Sequence, residues 1–400
     1  MNWLRLILIC LTVLLAIPAA LAAGADEQQL IPIDGSPLVA SLKEIRPGSK
    51  LVFAVDQQRR VVAAPDLVRW GSFADAVAGP QIVLANGLIV AQEVRIADDR
   101  IEITSRTFDR ITLPIAQVKG ILLRAPLEPL ERDQQITAIA RAKGESDRLR
   151  LENGDELSGT VVRLDDDKLA LEGAQGQIEI DRANVRSAIF NPALGANAER
   201  RGLSLLVGFK DGSRLLTDSL TGNAASVSLK VSDKATLTAP LSSIVAIQTI
   251  GGRATYLSDL RPASYKHVPY LQTAWPYRAD QNVQGGLLRA SKHVYPKGLG
   301  MHSAARLTYD VPDGYRRFEA LLAIDDQAET RGSVVVSLLL DDGTGTWKKR
   351  YSSPIIRGGE APRTVAVDLK GAKRLSLLVD FADWADEWDH VDWLDARLVR

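Results

Sequence analysis

Between residues 30 and 250, hydrophobic and polar positions alternate over short stretches, a pattern typical of β-strands that are half-buried in small sheets. In one such stretch Leu169 and Leu171 alternate with polar neighbours, and Ile178 and Ile180 do the same a few residues later. The acidic pair Asp166-Asp167 lies where a turn is expected. This pattern predicts short antiparallel strands joined by tight turns.

The alternating pattern occurs in four copies. Each copy opens with Asp-Gly or Asn-Gly, at Gly35, Gly87, Gly154 and Gly212. Each closes on a β-branched residue, at Val68, Val118, Val185 and Ile244, and the separation of opening and closing positions is nearly the same in all four. Asn-Gly and Asp-Gly favour type I′ turns, because both central residues of such a turn need positive φ. The spacing predicts four small antiparallel β-repeats.

The repeats are expected to be strongly bent sheets that resemble Sm-like small barrels, or alternatively sandwiches built from pairs of repeats. We place repeats 1 and 2 in residues 30–125 and repeats 3 and 4 in residues 148–250. The connecting segment, residues 126–147, has Leu130, Ile136 and Ile139 at helical spacing. The repeats contain no histidine or cysteine, so we expect a scaffold that can also mediate homo-oligomerisation.

The first residues have the layout of a secretory signal peptide. Arg5 precedes a largely apolar stretch, Pro18 follows it, and Ala20-Leu21-Ala22 offers a small-x-small cleavage pattern. An uncleaved membrane anchor is the alternative, although the apolar stretch is shorter than the ~20 residues that a spanning helix needs. We therefore predict a signal peptide in residues 1–23, a secreted or periplasmic protein, and no stable membrane insertion after cleavage.

Composition narrows the class of protein further. Hydrophobic residues make up 46% and charged residues 24% of the chain, and 49 basic residues balance 49 acidic ones. This balance argues against nucleic acid as a partner, because such proteins usually carry a basic excess. The only cysteine, Cys10, lies within the apolar N-terminal stretch. A chain cleaved after it would hold together by burial, without disulfides.

The chain changes character near Gly251-Gly252, after which lie all eight tyrosines and all four histidines. Five short alternating segments separated by Gly, Pro and Asp predict the strands of a sandwich or barrel in residues 253–400. They are RLTYDV, RRFEALLAI, GSVVVSLLL, RTVAVDL and RLSLLVDF.

Five ordered blocks in this region resemble the NPCBM domain, a carbohydrate-binding module associated with family 98 glycoside hydrolases. The blocks are YLSDLRP, YPKGLGMHS, LTYDVPDGYRRFEALLAIDD, RGSVVVSLLLDDG and DHVDWLDARLV. The resemblance implies a galactose-binding-like β-sandwich of jelly-roll type. It also implies that His390, Asp392 and Asp395 occupy framework positions of the family's closing block. This block has Val391 and Leu394 where alanine is common in the family.

The block YPKGLGMHS contains glycines and a histidine, as an active-site loop often does. The sequence around these residues, however, does not favour an active site. Gly298 and Gly300 are followed by a predicted strand, whereas a phosphate-binding loop is followed by a helix. The glycines therefore predict a tight turn and close backbone packing. His302 has no serine or cysteine nucleophile nearby in sequence, so a buried framework histidine is expected rather than a catalytic base.

The segment DFADWADEWDHVDWLD has the densest set of aromatic and acidic residues, and three interpretations compete. Two carboxylates of a glycoside hydrolase would have to face each other across a cleft, which carboxylates in one short loop rarely do. A sugar-binding rim would use flat tryptophan faces, each contributing roughly 2–3 kcal/mol for ~100 Å² buried. A calcium site would use the oxygens of Asp386 and Asp389. Alternatively, the rings fill the sandwich core, as we expect of Trp393.

We therefore predict an exported, all-β, non-catalytic protein that binds a glycan through its C-terminal domain. The alternatives are a glycoside hydrolase that uses the acidic segment and a structural envelope protein that binds other proteins. No cofactor is required, and a structural calcium ion is the one metal that the residues suggest. The predicted ligand-binding residues are Trp275, Tyr277, Lys297, His302, Arg306, Trp384, Trp388, His390 and Asp392.

Overall fold

The computed structural model describes residues 27–75, 79–195, 202–232 and 235–400. The predicted signal peptide and Cys10 lie outside the described residues. The fold is almost entirely β-structure with one α-helix in the described part of the chain, which confirms the predicted fold class.

Each N-terminal repeat contains four strands, a 3-10 turn and a fifth strand. In repeat 1 the strands are Gln28–Pro32, Leu38–Arg46, Lys50–Val55, Gln58–Ala63 and Leu67–Gly71. In repeat 2 they are Gln81–Leu84, Gly87–Val90 continuing as Glu93–Ala97, Arg100–Ser105, Asp109–Pro114 and Val118–Leu122. In repeat 3 they are Asp147–Leu151, Glu156–Leu164, Lys168–Gly173, Gly176–Asp181 and Val185–Ile189. In repeat 4 they are Ser204–Phe209, Arg214–Thr217 continuing as Leu220–Gly222, Ser226–Ser232, Ala235–Pro240 and Ile244–Ile250.

The strands of each repeat form a small, strongly bent sheet in the order 5-1-2-3-4, because the first strand pairs with both the second and the fifth. The 3-10 turns that precede the fifth strands are Ala64–Asp66, Ile115–Gln117, Arg182–Asn184 and Leu241–Ser243. In repeat 1 the residue after the turn is Leu67, not the Val68 chosen from sequence. Because Leu67 is one position closer to Gly35, the spacing in repeat 1 equals that between Gly212 and Ile244 in repeat 4.

The repeats associate through their fifth strands in an order that differs from their order in sequence. Repeat 4 pairs with repeat 1, with Ile247 opposite Trp70, and repeat 3 pairs with repeat 2, with Ala188 opposite Ile121. One hydrophobic core extends through all four repeats.

The α-helix Pro129–Ala140 connects repeats 2 and 3. Proline is favoured in the first turn because its missing N–H has no intrahelical partner there, and the Glu128 side chain accepts the backbone N–H of Leu130. Ile139 packs on Val83 and Leu122 of repeat 2. The helix thus lies against the repeats and presents its other side to the C-terminal domain.

The C-terminal domain is a sandwich of two antiparallel sheets. The first sheet has the order Arg278–Ala279, Gly298–His302, His390–Val399, Arg317–Ile324 and Arg363–Asp368, with Ala254–Tyr256 also paired to His390–Val399. The second has the order Ser264–His267, Ala305–Asp310, Arg374–Phe381, Ser333–Asp341 and Lys348–Ser352, with Ile356–Arg357 paired to Ser333–Asp341. A hairpin of Leu288–Ala290 and His293–Tyr295 covers part of the first sheet. The remaining 3-10 turns are Leu257–Asp259 and Asp326–Ala328.

Gly298 and Gly300 lie within a strand and allow close packing around it. A Cβ atom on Gly298 would come within 2.5 Å of the Trp393 carbonyl oxygen, and one on Gly300 within 2.5 Å of the Gln281 carbonyl oxygen. This agrees with the close backbone packing expected from sequence, although the two glycines belong to the strand rather than to a turn.

The strand His390–Val399 is buried along its whole length. Trp393 and Leu398 fill the core between the sheets, as predicted for Trp393. The other face of this strand packs on the hairpin and on the N-terminal repeats, where Leu394 contacts Leu288 and Val399 contacts Val68. The large side chain at position 394 is therefore explained by its contact with the hairpin.

A β-bulge places Asp395 at the contact between the two halves of the molecule. The register shifts between Glu319 and Leu321 on the neighbouring strand, and Asp395 has φ 50°. Its carboxylate accepts Arg69 Nε at 3.1 Å and Gln248 Nε2 at 2.7 Å. One acidic residue of the sandwich thus contacts repeat 1 and repeat 4 together.

A second polar cluster joins the hairpin to the helix and to repeat 1. Arg289 donates to Asp133 at 2.5 Å and pairs with Asp75 at 3.0 Å, and Arg132 also pairs with Asp75. Burial strengthens charge-assisted hydrogen bonds and makes the loss of one partner costly. Repeats and sandwich are therefore held together by buried, paired charges as well as by apolar contacts.

No helix in the described ranges combines the length and hydrophobicity that a membrane crossing requires.

We predict that Asp395→Asn destabilises the protein by about 3 kcal/mol or more, because it leaves the Arg69 charge buried without a counter-ion. Asparagine is close in shape and tolerates positive φ, so the variant tests charge rather than backbone strain. The measurement is urea unfolding followed by far-UV circular dichroism. Asp166→Asn is the control, because its pair with Arg95 is exposed, and it should change stability by less than about 1 kcal/mol. Similar small effects of both substitutions would contradict the prediction.

Candidate functional site

Three histidines meet where strands of both sheets end. His267 ends the strand Ser264–His267 of the second sheet, His302 ends Gly298–His302, and His390 begins His390–Val399 of the first sheet. His302 and His390 are direct partners across the strands, with ring centroids 5.6 Å apart, and His267 lies 5.9 Å from His302. The sandwich topology thus brings together residues that are far apart in sequence.

Two tryptophans complete this group. The Trp275 ring stacks on His302 with centroids 4.9 Å apart and planes 9° from parallel, and Trp388 lies 5.2 Å from His390. Both tryptophans are partly exposed. We call His267, Trp275, His302, Trp388 and His390 the histidine–tryptophan cluster.

Hydrogen bonds fix the orientation of two of these histidines. His302 Nδ1 lies 2.8 Å and His267 Nε2 2.9 Å from the carbonyl oxygen of Ser303, which can only accept, so both nitrogens carry hydrogen. His267 Nδ1 accepts the backbone N–H of Trp275 at 3.3 Å. This holds Trp275 beside His302, and a second bond from the Tyr265 hydroxyl to the Trp275 carbonyl supports it.

Two of the three cluster histidines have lowered pKa values. Burial lowers the pKa of His390 to about 4, and the neighbouring charges of His302 and Arg331 act in the same direction. Burial also lowers the pKa of His302, opposed by its hydrogen bond to Ser303. The rings therefore present neutral, largely apolar faces with a few fixed donors.

The acidic loop, residues 382–389, covers one side of the cluster and is anchored by Asp389. This buried carboxylate accepts the Ser303 hydroxyl at 2.7 Å and the Ser333 N–H at 2.8 Å, and burial raises the pKa of Asp389 to about 6. Trp384 and Trp388 have φ of 65° and 59°, a conformation that is rare for bulky residues and typical of functional loops.

The tip groove lies beside the cluster. It is lined by Thr330, Arg331, Gly332, Ser333, Arg357, Asp383, Trp384 and Glu387. Trp384 is 86% exposed, and the Arg331 guanidinium lies 3.7 Å from the centroid of the Trp388 ring. A Cβ atom on Gly332 would come within 2.3 Å of the Trp388 carbonyl oxygen, so glycine is required where this wall approaches the loop.

The structure brings five of the predicted ligand-binding residues to this end of the sandwich. Trp275, His302, Trp388 and His390 belong to the cluster, and Trp384 lies in the tip groove. His302 is almost fully buried, consistent with the framework histidine expected from sequence, while its ring also supports Trp275.

Four other predicted residues lie outside this cluster and contact other parts of the domain. Tyr277 packs on Tyr265 at the edge of the core. Lys297 is buried and paired with Asp259 at 2.6 Å and Asp280 at 2.7 Å, so its ammonium group is already occupied.

Arg306 and Asp392 likewise have other surroundings. Arg306 donates to Ser376 and lies over Trp347 on the outer side of the second sheet. Asp392 is fully buried, and burial together with the charge of Asp325 raises its pKa well above the ordinary value. Asp392 lies on the face of the first sheet that packs against the hairpin. This buried position is compatible with the framework role that the family resemblance implies.

Sequence reasoning missed His267 and Arg331. His267 is the last residue of the alternating segment SYKH, and only the pairing of that strand with Ala305–Asp310 shows that it lies near His302. Arg331 opens the block RGSVVVSLLL, and its position over Trp388 depends on the folded loop.

The predicted calcium ligands lie in different environments. Both oxygens of Asp389 already accept hydrogen bonds, whereas Asp386 is partly exposed. Among the described residues, no three His, Cys, Asp or Glu side chains are grouped so as to hold a metal ion.

Comparisons with known proteins agree with the family resemblance for this domain. Residues 253–399 match the family model of the NPCBM/NEW2 domain, which confirms the expected resemblance. A Renibacterium salmoninarum protein named as a putative endo-alpha-N-acetylgalactosaminidase is 35% identical over 117 residues, which is 29% of this chain and 7% of that protein. The aligned region thus spans only a small part of the curated relative.

Similar solved structures include modules of Clostridium perfringens. The structure of the CBM51-2 and INT domains of ZmpB is 27% identical, covers 44% of this chain and 36% of its own, and has a TM-score of 0.33. The structure of CBM51 from GH95 in complex with methyl-galactose is 24% identical, covers 36% of this chain and 99% of its own, and has a TM-score of 0.32.

We predict that His390→Asn reduces the loss of stability on acidification. The folded-state pKa of His390, about 4, is below its unfolded value of ~6.5, so the unfolded chain gains a proton first as pH falls through this window. The native His390 should therefore lower the free energy of unfolding by about 1–3 kcal/mol as the pH falls from 6.5 to 4, and the asparagine variant should lack this loss. The measurement is urea unfolding of both proteins at pH 7, 5.5 and 4.

Asp389 acts in the opposite direction. Its pKa is raised to about 6, so its protonation stabilises the folded state as pH falls from about 6 to 4. Comparing His390→Asn with Asp389→Asn separates the two contributions, and His293→Asn controls for loss of a histidine elsewhere. An unchanged pH profile in His390→Asn would contradict the prediction.

Proposed function

We propose that the protein is an exported, non-catalytic carbohydrate-binding protein whose C-terminal domain binds a glycan at the histidine–tryptophan cluster and the tip groove. The NPCBM/NEW2 match supports carbohydrate binding as the general function of residues 253–399. The observation that carries the assignment to this site is the meeting of Trp275, Trp384 and Trp388 at one end of the sandwich.

The chemistry of this surface suits a sugar. A pyranose has an apolar C–H face and a hydroxyl edge, and an exposed indole ring covers the former while nearby carboxylates and amides bond the latter. Trp384 offers an open ring, and Asp383, Glu387 and Arg357 lie along the same groove. Because burial lowers the pKa of His302 and of His390, these two rings can lie beside the sugar without the cost of desolvating a charge.

The arrangement favours binding over hydrolysis. Hydrolysis requires two carboxyl groups on opposite sides of the scissile bond. Asp389 lies buried beneath the acidic loop and is bonded to Ser303 and Ser333, so it does not face Asp386 across an open cleft. Glycoside hydrolysis is therefore the second candidate, and its test is sugar release that disappears in Asp386→Asn or Asp389→Asn.

The N-terminal repeats have a scaffold role in this proposal. They are joined to the sandwich through Asp395 and Arg289, contacts that lie on the outer face of the first sheet rather than at the ligand site. The repeats thus hold the glycan-binding end in a fixed direction relative to whatever they attach to.

We predict that Trp384→Ala and Trp388→Ala each weaken glycan binding by at least about tenfold, because an indole face that covers ~100 Å² of sugar contributes roughly 2–3 kcal/mol. The chain from Gly24 onward is screened on a glycan array, with and without calcium, and the sugars that bind are measured by titration calorimetry. Trp384 is exposed, so its replacement should leave the fold intact.

Trp347→Ala is the matched control, since Trp347 lies between Arg306 and Arg374 on the second sheet, outside the proposed site. Binding that survives both Trp384→Ala and Trp388→Ala, or that is lost only in Trp347→Ala, would overturn the site assignment. Absence of any glycan binding would favour the structural envelope role instead.

A further inference from the structure

The fourth strand of each N-terminal repeat pairs on one side only within the described part of the chain. These strands are Gln58–Ala63, Asp109–Pro114, Gly176–Asp181 and Ala235–Pro240, and each bonds to the third strand of its own repeat. A strand edge without a neighbour presents a row of N–H and C=O groups that can pair with another polypeptide.

Two of these edges face each other across one groove. Its walls are consecutive residues of Asp109–Pro114 in repeat 2 and of Ala235–Pro240 in repeat 4. Because successive side chains of a strand point to opposite faces, a groove lined by consecutive residues is bordered by strand edges rather than by one sheet face. The hydrogen bond between Ser232 and Gln117 places the start of the second strand near the end of the first, so the two edges run antiparallel.

The side chains beside this groove are mostly uncharged. Thr112, Thr236 and Thr238 are exposed, whereas Leu113 and Leu237 point into the cores of their repeats. The charged pair Asp109-Arg110 lies at one end of the groove. Threonine is a β-branched residue that forms favourable cross-strand pairs, so these positions suit a further strand.

The other two free edges carry charges that discourage pairing. Repeat 1 has Arg59 and Arg60 on its fourth strand, and repeat 3 has Glu179 and Asp181. Charged side chains are a common means by which proteins protect sheet edges. The fourth strand of repeat 2 also carries two charged residues, Asp109 and Arg110, but both lie at one end of it, and the fourth strand of repeat 4 carries none.

We propose that the groove between the fourth strands of repeats 2 and 4 binds an extended segment of a partner protein by strand addition, and that this segment has uncharged, β-branched side chains. The exposed backbone groups specify a polypeptide in extended form. One edge would pair with the segment in antiparallel and the other in parallel fashion.

A second copy of this chain fits the groove less well. Its own free edges in repeats 1 and 3 would bring Arg59, Arg60, Glu179 or Asp181 into a groove whose lining is charged only at one end, by Asp109 and Arg110, and desolvation of unpaired charges is costly. The proposal is independent of glycan binding, because the groove lies in the N-terminal repeats.

The test uses the chain from Gly24 onward. The probes are peptides of about seven residues, the usual strand length with one residue to spare, with threonine or valine at alternate positions and a lysine at each end. Binding is measured by fluorescence anisotropy, and backbone amide hydrogen exchange is followed by mass spectrometry. We expect binding with increased protection in residues 109–114 and 235–240, and none in residues 58–63 and 176–181.

Thr112→Lys and Thr238→Lys should each weaken peptide binding about tenfold or more, since a charge at the edge opposes strand addition. Val61→Lys and Ile178→Lys are matched controls on the other two edges, where the native side chains are also exposed, and they should leave binding unchanged. Far-UV circular dichroism and urea unfolding of all four variants serve as the check on folding and should match those of the unsubstituted protein.

Three results would overturn the proposal: no peptide in the set binds, the two threonine variants bind as well as the unsubstituted protein, or protection arises in strands other than 109–114 and 235–240. Protection of these two strands that rises with protein concentration in the absence of peptide would identify a second copy as the occupant and would overturn the choice of a partner segment.

Discussion

The buried carboxylate of Asp395 is the interaction on which the arrangement of the molecule depends. It accepts hydrogen bonds from Arg69 of repeat 1 and Gln248 of repeat 4, and Gln248 also bonds the Tyr256 hydroxyl of the C-terminal domain. Taking Arg69 and Asp395 out of water is costly, and only their close pairing and these additional bonds offset that cost. Repeats 1 and 4 must therefore be adjacent for the Asp395 carboxylate to receive both of its hydrogen bonds.

This requirement links the order of the repeats to the position of the ligand site. Repeats 1 and 4 pair through their fifth strands, and the surface that they form covers the outer face of His390–Val399. The inner face of that strand lies in the sandwich core and its outer face packs against the hairpin and the repeats, so the whole strand is buried and only residues that surround its first position reach the surface. His390 begins the strand. The proposed glycan site therefore lies at the end of the strand where the sandwich core and the contact with the repeats both stop.

Much of this could be predicted from sequence, and the limits have physical causes. The repeat period was visible because each turn needs positive φ at a fixed place, as at Gly154. The pairing of repeat 1 with repeat 4 was not visible, because Arg69 and Asp395 are 326 positions apart and no local pattern indicates that they meet. In the site, Trp384 was found because aromatic and acidic residues are concentrated in one segment. His267 was missed because a single histidine at the end of a short strand carries no signal of its own.

Backbone strain in the acidic loop is compatible with ligand binding because buried hydrogen bonds hold the loop in place. Trp384 and Trp388 hold positive φ, which costs of order 1–3 kcal/mol per residue, and such a conformation persists only where the surroundings determine it. Asp389 fixes the end of the loop through its hydrogen bonds with Ser303 and Ser333. A ligand that meets these rings need not order them, so less of its interaction energy is lost on binding. In the proposed glycan site, Asp389 would thus act by fixing the loop in advance rather than by contact with the ligand.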